Sequence, residues 1–466
     1  MARLWIKRIA LGLLGLLLLG LLWLWALPPA MLRVGASYAA KIVCSNVFLA
    51  NRDAQAVLRD DVQNHGHPLL KYMRVTVDRE RGEVHAALLG VVGKGLALHR
   101  PGHGCAVVAD GDLAAARAAA PAIDAPTAPP PAPPRPPEPG ALPPNWPEVD
   151  AAPTSGQLAA VVNLPELQGP GMRAVVVVHK GRIVGETYGP GFGPDTPLLG
   201  WSMTKTATAA LIGRRLHEGG LTLDTPLAPA LGWPASDARA AITPAQLLAM
   251  SSGLQFDEGY GGVSDVTRML YLEPDMAAYA AQQPLLHPPG TQFNYSSGSS
   301  LLLSRWWTQG ANTDARRLLF TPLGMRSATL ETDARGTPVG SSYLYATAKD
   351  WARLGLFLLN DGVWQGQRLL PEGYVARMTA ASPAKPGSYG RGHLWLHGPQ
   401  GTTPEGQDPD VAQGLPADTW WMRGHDGQFV AVVPSKQLVV VRLGLTPSKL
   451  GYQPQGLVKK VLEAVN

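Results

Sequence analysis

The sequence predicts an α/β domain of the α+β type over residues 154–466, preceded by an N-terminal transmembrane helix. Strand-like patterns lie near both ends of this domain, over residues 172–188 and 420–443, whereas helical patterns fill its middle. The third observation is an uncharged apolar run near the N-terminus of the chain. The economical arrangement is an antiparallel sheet made from both ends of the domain and flanked by helices, with a helical region inserted between its strands.

Residues 1–30 are expected to act as a membrane anchor or a signal segment. Residues 9–27 carry no charge, follow three basic residues and are long enough to span a membrane. The positive flank predicts that the N-terminus stays in the cytoplasm. A cleaved signal peptide is the alternative, because residues 28–30 can precede a cleavage site. Both interpretations imply export, with the main domain anchored to the inner membrane in the periplasm or released after cleavage.

Residues 31–118 are expected to form a small region that packs on the main domain. Residues 36–50 can begin as a helix, and residues 72–90 alternate like a β-hairpin. The two cysteines of the chain, Cys44 and Cys105, both lie in this region. An oxidising compartment favours a disulfide bond between them, and two buried free thiols are the alternative.

Residues 119–153 are expected to be a Pro-rich linker, because dense proline excludes regular helix and central strand and favours extended structure. In the domain that follows, turns are expected at residues 179–181 and 434–436. Helices are expected over residues 202–218, 244–251, 264–282, 297–308, 348–360, 371–380 and 457–465.

The composition says little about binding partners. The 466 residues are 45% hydrophobic and 16% charged, so a large core can form. The net charge of +5 comes without a basic block beyond the N-terminus and without an aromatic-basic motif, so we expect no nucleic-acid partner. Nothing in the sequence points to a metal site or to a particular oligomeric state.

The helix expected over residues 202–218 opens with a serine and a lysine that a core helix does not need. Ser202 alone is typical of an N-cap, but Lys205 is a poor core residue unless it has a partner. A spacing of three residues places both side chains on one helix face. A serine hydroxyl needs a base within hydrogen-bond reach, and a lysine that has lost its proton can serve. The helix N-terminus adds N–H groups that stabilise a developing negative charge.

The S-x-x-K pattern is weak evidence alone, because it also occurs at residues 382–385. Prolines within and after that second match exclude a regular helix, so we regard it as chance. The first match is followed, in order, by QLLAMSSGL at residues 246–254, NYSS at 294–297 and GHDGQ at 424–428. This order and spacing resembles the serine β-lactamase and penicillin-binding-protein superfamily, most closely its class C-like branch.

The resemblance covers about residues 154–466 and implies a β-lactamase-like catalytic domain. The branch includes esterases, D-aminopeptidases, D-alanyl-D-alanine carboxypeptidases and 6-aminohexanoate-dimer hydrolases. It implies that Ser202 is the acylated nucleophile, that Lys205 is its base partner and that Tyr295 shuttles the proton to the leaving group. Whether Lys205 or a tyrosinate takes the first proton stays open at this point.

A strand motif completes the resemblance. His425 and Gly427 occupy the place of the Lys-Thr-Gly motif of the superfamily, which implies substrate contact there and an oxyanion-binding N–H from Gln428. The resemblance also implies that Ser297 contacts the substrate. Two departures bear on specificity: His425 stands where most penicillin-recognising members have a lysine cation, and Ser297 stands where β-lactamases often have Asn. Both point away from efficient β-lactam hydrolysis and towards the esterase, aminopeptidase and aminohexanoate-dimer hydrolase members.

We therefore expect a serine hydrolase that cleaves an ester or amide bond of a small or peptide-like substrate through an acyl-enzyme on Ser202, without a cofactor. One alternative is a peptidoglycan D,D-peptidase or weak β-lactamase. Another is a non-catalytic penicillin-binding-like sensor or scaffold, with the N-terminal region and the proline run as its interaction part. The physiological substrate is not indicated by the sequence.

Overall fold

The N-terminal region is a helix packed across a small antiparallel sheet. The structure, a computed structural model, describes residues 2–64, 66–120, 156–310 and 313–465. Strands β1 to β4 pair in chain order, and Gly95 lets helix α2 approach β3, because a Cβ there would overlap the α2 backbone. The elements of this region are α1 (Ala2–Ala26), α2 (Ala30–Leu49), α3 (Ala54–Val57), β1 (Met73–Asp78), β2 (Glu83–Leu88), β3 (Val92–Arg100), β4 (Gly104–Val107) and α4 (Leu113–Ala118).

Helix α1 covers the segment expected to span a membrane. Crossing a bilayer takes about 20 consecutive apolar residues in one helix, and among the described residues no helix is long and apolar enough to do so. The predicted transmembrane helix, and with it the membrane as a partner, is therefore not supported. The predicted linker, residues 119–153, lies outside the described residues except for its first two positions.

A disulfide bond joins the helix of the N-terminal region to its sheet. It links Cys44 on α2 to Cys105 on β4 across 61 residues of sequence. Both cysteines are fully buried.

The main domain has the predicted sheet, built from both of its ends. Five antiparallel strands lie in the order β14-β15-β16-β5-β6. One sheet face packs against α13 and the helical region, and the other packs against α5 and α16. The strands are β5 (Met172–His179), β6 (Arg182–Tyr188), β7 (Leu198–Leu199), β8 (Thr329–Leu330), β9 (Leu344–Ala346), β10 (Val363–Trp364), β11 (Gln367–Arg368), β12 (Ala381–Ser382), β13 (Lys385–Gly390), β14 (Trp420–Gly424), β15 (Gln428–Val433) and β16 (Leu438–Gly444).

The helices of the main domain follow the predicted pattern with one break. The helix expected over residues 264–282 ends at Leu272, because Glu273 precedes a proline and adopts extended backbone. Asp275 then caps the next helix by accepting from the Ala278 N–H at 2.9 Å. The helices are α5 (Gly156–Val162), α6 (Pro165–Gln168), α7 (Thr204–Glu218), α8 (Ala228–Leu231), α9 (Pro244–Leu248), α10 (Asp265–Leu272), α11 (Met276–Ala281), α12 (Ser297–Trp307), α13 (Ala348–Leu359), α14 (Tyr374–Thr379), α15 (Pro409–Ala412) and α16 (Gln455–Val465).

The segment after β14 differs from the expected continuous strand. Residues His425–Gly427 form a short 3-10 turn that connects β14 to β15. Asp426 and Gly427 have φ values of +57° and +78°, which lie in the left-handed region and exclude a strand there. The strand motif inferred from the sequence is therefore a turn at the end of the edge strand.

Candidate active site

Ser202 and Lys205 lie where α7 begins, and their side chains touch. Ser202 sits in the 3-10 turn Trp201–Met203 that leads into α7, and its side chain caps no backbone N–H of the helix. The Lys205 Nζ donates to Ser202 Oγ at 3.0 Å. The hydroxyl is therefore not used as an N-cap, and a nitrogen lies within reach of its proton.

The Lys205 amine is buried and has three acceptors. Its side chain is 1% exposed. Besides Ser202 Oγ, the Nζ donates to Ser297 Oγ and to the Ser341 carbonyl, both at 3.1 Å. An ammonium has three N–H donors, so this arrangement satisfies every donor of a protonated lysine.

Tyr295 lies beside the same amine. The Lys205 Nζ is 4.9 Å from the centroid of the Tyr295 ring. The Tyr295 ring also packs against two aromatic rings: its centroid lies 5.4 Å from that of Trp395 and 5.9 Å from that of Tyr389. Three side chains thus share one site: the Ser202 hydroxyl, the Lys205 amine and the Tyr295 ring. They span 93 residues of sequence.

Ser297 connects Lys205 to a carboxylate that the sequence analysis missed. Ser297, the first residue of α12, is fully buried. Its hydroxyl donates to Glu258 Oε1 at 2.5 Å, and its backbone N–H donates to Glu258 Oε2 at 2.8 Å. Glu258 belongs to the loop before α10. In the sequence, Glu258 is recognisable only as an acidic residue between two of the motifs. That position does not indicate that it contacts Ser297.

The turn after β14 brings His425 to the site. Its side chain is 40% exposed, and its ring lies 4.8 Å from Tyr260 and 5.7 Å from Trp201 between centroids. Trp201 precedes the candidate nucleophile directly. His425 thus lies at the solvent-exposed side of the site, between the rings of Tyr260 and Trp201.

Gly427 and Gln428 are hydrogen-bonded to the neighbouring strand β16. The Gly427 carbonyl accepts from Arg442 at 2.9 Å, and the Gln428 Oε1 accepts from the Gly444 N–H at 2.8 Å. Gln428 begins β15, the second strand of the sheet. Gly424, at the end of the edge strand, lies against the backbone before Ser202, because a Cβ there would overlap the carbonyl of residue 200. The predicted N–H of Gln428 as oxyanion donor stays a prediction.

The backbone just before Ser202 is strained. Trp201 has a φ of +48°, in the left-handed region that residues other than glycine rarely adopt. Its ring is 6% exposed and packs at 6.2 Å from the ring of Tyr343. Such backbone persists where surrounding packing fixes it, and it occurs most often at functional sites. Nothing in the local sequence signals this conformation.

Two titratable groups, Arg423 and His393, lie near the aromatic side chains and the amine of the site. The Arg423 guanidinium lies 4.5 Å from the Trp395 ring centroid, and burial lowers the pKa of Arg423 to about 10. Burial, followed by the charge of Lys205, lowers the pKa of His393 to about 3, so this imidazole is neutral. Among the described residues, no group of three or more His, Cys, Asp or Glu side chains could hold a metal ion.

Comparison with known proteins agrees with this fold. The family model described as Beta-lactamase matches residues 155–448. A 6-aminohexanoate-dimer hydrolase from Paenarthrobacter ureafaciens is 24% identical over 307 residues, which cover 59% of this chain and 72% of the relative. A solved structure assigned to the 6-aminohexanoate-dimer hydrolases, from Bacillus anthracis, has a TM-score of 0.50 at 21% identity and covers 63% of this chain and 77% of its own. A structure assigned to the beta-lactamases, from Bacteroides dorei DSM 17855, has a TM-score of 0.52 at 22% identity and covers 64% and 94%.

Proposed function

The chain belongs to the Beta-lactamase family, and on this premise we propose that it is a serine hydrolase that cleaves an ester or amide bond through an acyl-enzyme on Ser202. The observation that carries the proposal is the hydrogen bond of 3.0 Å between the buried Lys205 amine and Ser202 Oγ. A buried lysine with no ion pair among the described residues is costly to maintain, and such groups concentrate at functional sites.

In the proposed acylation step, Ser202 Oγ attacks the substrate carbonyl as its proton leaves towards Lys205 or Tyr295. Tyr295 then donates a proton to the departing alcohol or amine. The negative oxygen of the intermediate is held by the Ser202 N–H, in the turn before α7, and by the N–H of Gln428 at the start of β15. Each such donor contributes on the order of 3 kcal/mol to transition-state stability.

In the proposed deacylation step, a water molecule attacks the ester formed on Ser202. The same basic group accepts a proton from this water, and Ser202 Oγ regains a proton as the carboxylic acid leaves. Ester and amide substrates thus share one intermediate, and they differ in the leaving group that Tyr295 has to protonate.

The proposed substrates are small or peptide-like esters and amides. The relative from Paenarthrobacter ureafaciens is named for hydrolysis of the 6-aminohexanoate dimer. The exposed ring of Tyr260 and the half-buried ring of Trp395 suit an apolar acyl or amine portion of the substrate. His425 stands where most penicillin-recognising members have a lysine, which disfavours a penicillin-type substrate.

Labelling with a fluorophosphonate probe tests the proposal. We expect the probe to modify Ser202 and to abolish hydrolysis of p-nitrophenyl esters, D-amino-acid amides or linear amides, whichever the wild type turns over. The Ser202→Ala variant should neither be labelled nor turn over substrate, while Ser382→Ala, in the discarded second S-x-x-K match, serves as the matched control. Undiminished turnover in Ser202→Ala would contradict the proposal.

The same assays separate the two alternatives. Rapid acylation by a fluorescent penicillin, without hydrolysis of the other substrates, would favour a D,D-peptidase or weak β-lactamase. Absence of hydrolysis across the whole panel by a folded protein would favour a sensor or scaffold.

We also propose that the chain is exported from the cytoplasm. The disulfide bond between Cys44 and Cys105 supports this, because such bonds persist in oxidising compartments. A C-terminal alkaline phosphatase fusion, which is active only outside the cytoplasm, should be active; an inactive but intact fusion would contradict export.

A further inference from the structure

The hydrogen bonds around Lys205 raise the question of where its proton goes. The amine donates to three acceptors at 3.0 to 3.1 Å, which is the pattern of a protonated ammonium. An ammonium has no lone pair and therefore cannot take the proton of Ser202. If Lys205 is to act as the base, one of its protons has to leave through one of the groups that it touches.

Ser297 offers a path for this proton. Its hydroxyl accepts from the Lys205 Nζ at 3.1 Å and donates to Glu258 Oε1 at 2.5 Å. The Ser297 N–H holds the second carboxylate oxygen at 2.8 Å, so both oxygens of Glu258 are fixed by one residue. The other acceptor apart from Ser202 is the Ser341 carbonyl, which cannot pass a proton on. The chain of Nζ, Oγ and Oε1 is thus a continuous route from the amine to a carboxylate.

We propose that Glu258 takes up the proton of Lys205 through the hydroxyl of Ser297 before acylation. An N–H bond of Lys205 breaks as Ser297 Oγ gains that proton, and the original O–H bond of Ser297 breaks as its proton passes to Glu258 Oε1. The ammonium and carboxylate become an amine and a carboxylic acid, so the net charge does not change. The freed lone pair on Nζ then accepts the proton of Ser202.

This inference rests on the proposed function, because it assigns the base of the Ser202 reaction. It makes Ser297 and Glu258 a relay that acts through Lys205, without contact to the substrate. The sequence leaves open whether Lys205 or a tyrosinate accepts the proton of Ser202. The proposed relay assigns this role to Lys205.

The phenols near the relay do not compete for the proton. Burial raises the pKa of Tyr260 well above its ordinary value, and the charge of Glu258 adds to this. Burial likewise raises the pKa of Tyr389, with smaller contributions from Tyr295 and Glu258. Both phenols therefore stay protonated at neutral pH. The titratable groups around this path are those of Lys205, Tyr260, Tyr295, Tyr389, His393 and His425.

The Glu258→Gln variant tests the relay, because its amide keeps one of the two oxygens that accept from Ser297 but cannot take up a proton. We expect kcat/KM for an activated ester to fall by about 100-fold, the scale of a lost proton transfer, with unchanged KM. The pH profile of kcat/KM should also differ between Glu258→Gln and the wild type, because the variant has no carboxylate to receive the proton of Lys205. Glu166→Gln is the matched control, because it makes the same chemical change at an exposed residue of α6. This variant should behave like the wild type.

A second variant links the two residues of the relay. Ser297→Ala removes the connecting hydroxyl and should cost about as much as Glu258→Gln, while the double variant should cost no more than either alone, because both changes break one path. Wild-type kcat/KM and an unchanged pH profile in Glu258→Gln would overturn the relay, as would losses that multiply in the double variant. A wild type that is not acylated at Ser202 would instead refute the proposed function, irrespective of Glu258.

Discussion

Lowering the pH from 7.5 to 5 is expected to destabilise the fold through one buried imidazole, that of His393. The side chain is 2% exposed, and its Nε2 lies 3.1 Å from Ser300 Oγ. Burial, and after it the charge of Lys205, lowers the pKa of His393 from 6.5 to about 3. The folded protein therefore keeps this ring neutral across the whole range over which an unfolded histidine takes up a proton.

The sign and size of the effect follow from these two pKa values. Between about pH 6.5 and pH 3 the unfolded state binds one more proton at His393 than the folded state, so stability falls as the pH is lowered through this range. At pH 5 the loss is about 2 kcal/mol, since each pH unit below the unfolded pKa costs about 1.4 kcal/mol. Asp333 acts in the opposite direction, because burial raises the pKa of its carboxyl to about 6 and the folded state is protonated first.

A matched variant isolates the contribution of His393. We would measure urea unfolding of the wild type and of His393→Asn at pH 7.5 and pH 5. Asn is chosen because His393 has a φ of +58°, which Asn tolerates better than most residues. The wild type should lose about 2 kcal/mol more than the variant between the two pH values, since Asp333 is common to both. The same pH dependence in both proteins would refute the assignment of a buried neutral imidazole.

Three further predictions concern the buried ion pair of Lys41, the disulfide bond and the close approach of Gly424 to the segment before Ser202. Lys41→Met is expected to destabilise the protein by about 3–5 kcal/mol in urea unfolding, because it leaves the Glu331 carboxylate buried without its cation. The double variant Lys41→Met/Glu331→Leu should regain part of the lost free energy of unfolding. A Lys41→Met variant as stable as the wild type would contradict the buried ion pair. Replacing Cys44 and Cys105 with Ser should cost about 2–4 kcal/mol, and equal stability under non-reducing conditions would argue against the bond. Gly424→Ala should slow fluorophosphonate labelling by about 100-fold, because the added Cβ overlaps the backbone that carries the nucleophile; an unchanged labelling rate would show that the strand can move away.

The features that the sequence predicts well are local. The Val-rich strand patterns near both ends of the domain give the sheet, and the turn residues at positions 179–181 and 434–436 give its hairpins. The spacing of Ser202 and Lys205 predicts their contact, because three residues of helix fix the geometry without help from the rest of the chain. The break after Leu272 is a local feature that the prediction of one helix over residues 264–282 missed, although Pro274 disfavours helix at Glu273.

The features that the sequence does not predict depend on distant partners. Glu258 contacts Ser297 across 39 residues, and Lys41 pairs with Glu331 across 290 residues. No periodicity links such positions. The left-handed conformation of Trp201 has the same origin, since tertiary packing imposes it on a residue whose own preference is different.

The support behind the nucleophile comes from both regions of the chain. Lys41, on α2 of the N-terminal region, lies 4.1 Å from the ring centroid of Tyr343, and Tyr343 in turn packs on Trp201, whose strained backbone sets the position of Ser202. Strained backbone relaxes when its packing is removed. The N-terminal region is therefore part of the structure that supports the candidate nucleophile, and removing α2 would take away the contact of Lys41 with Tyr343.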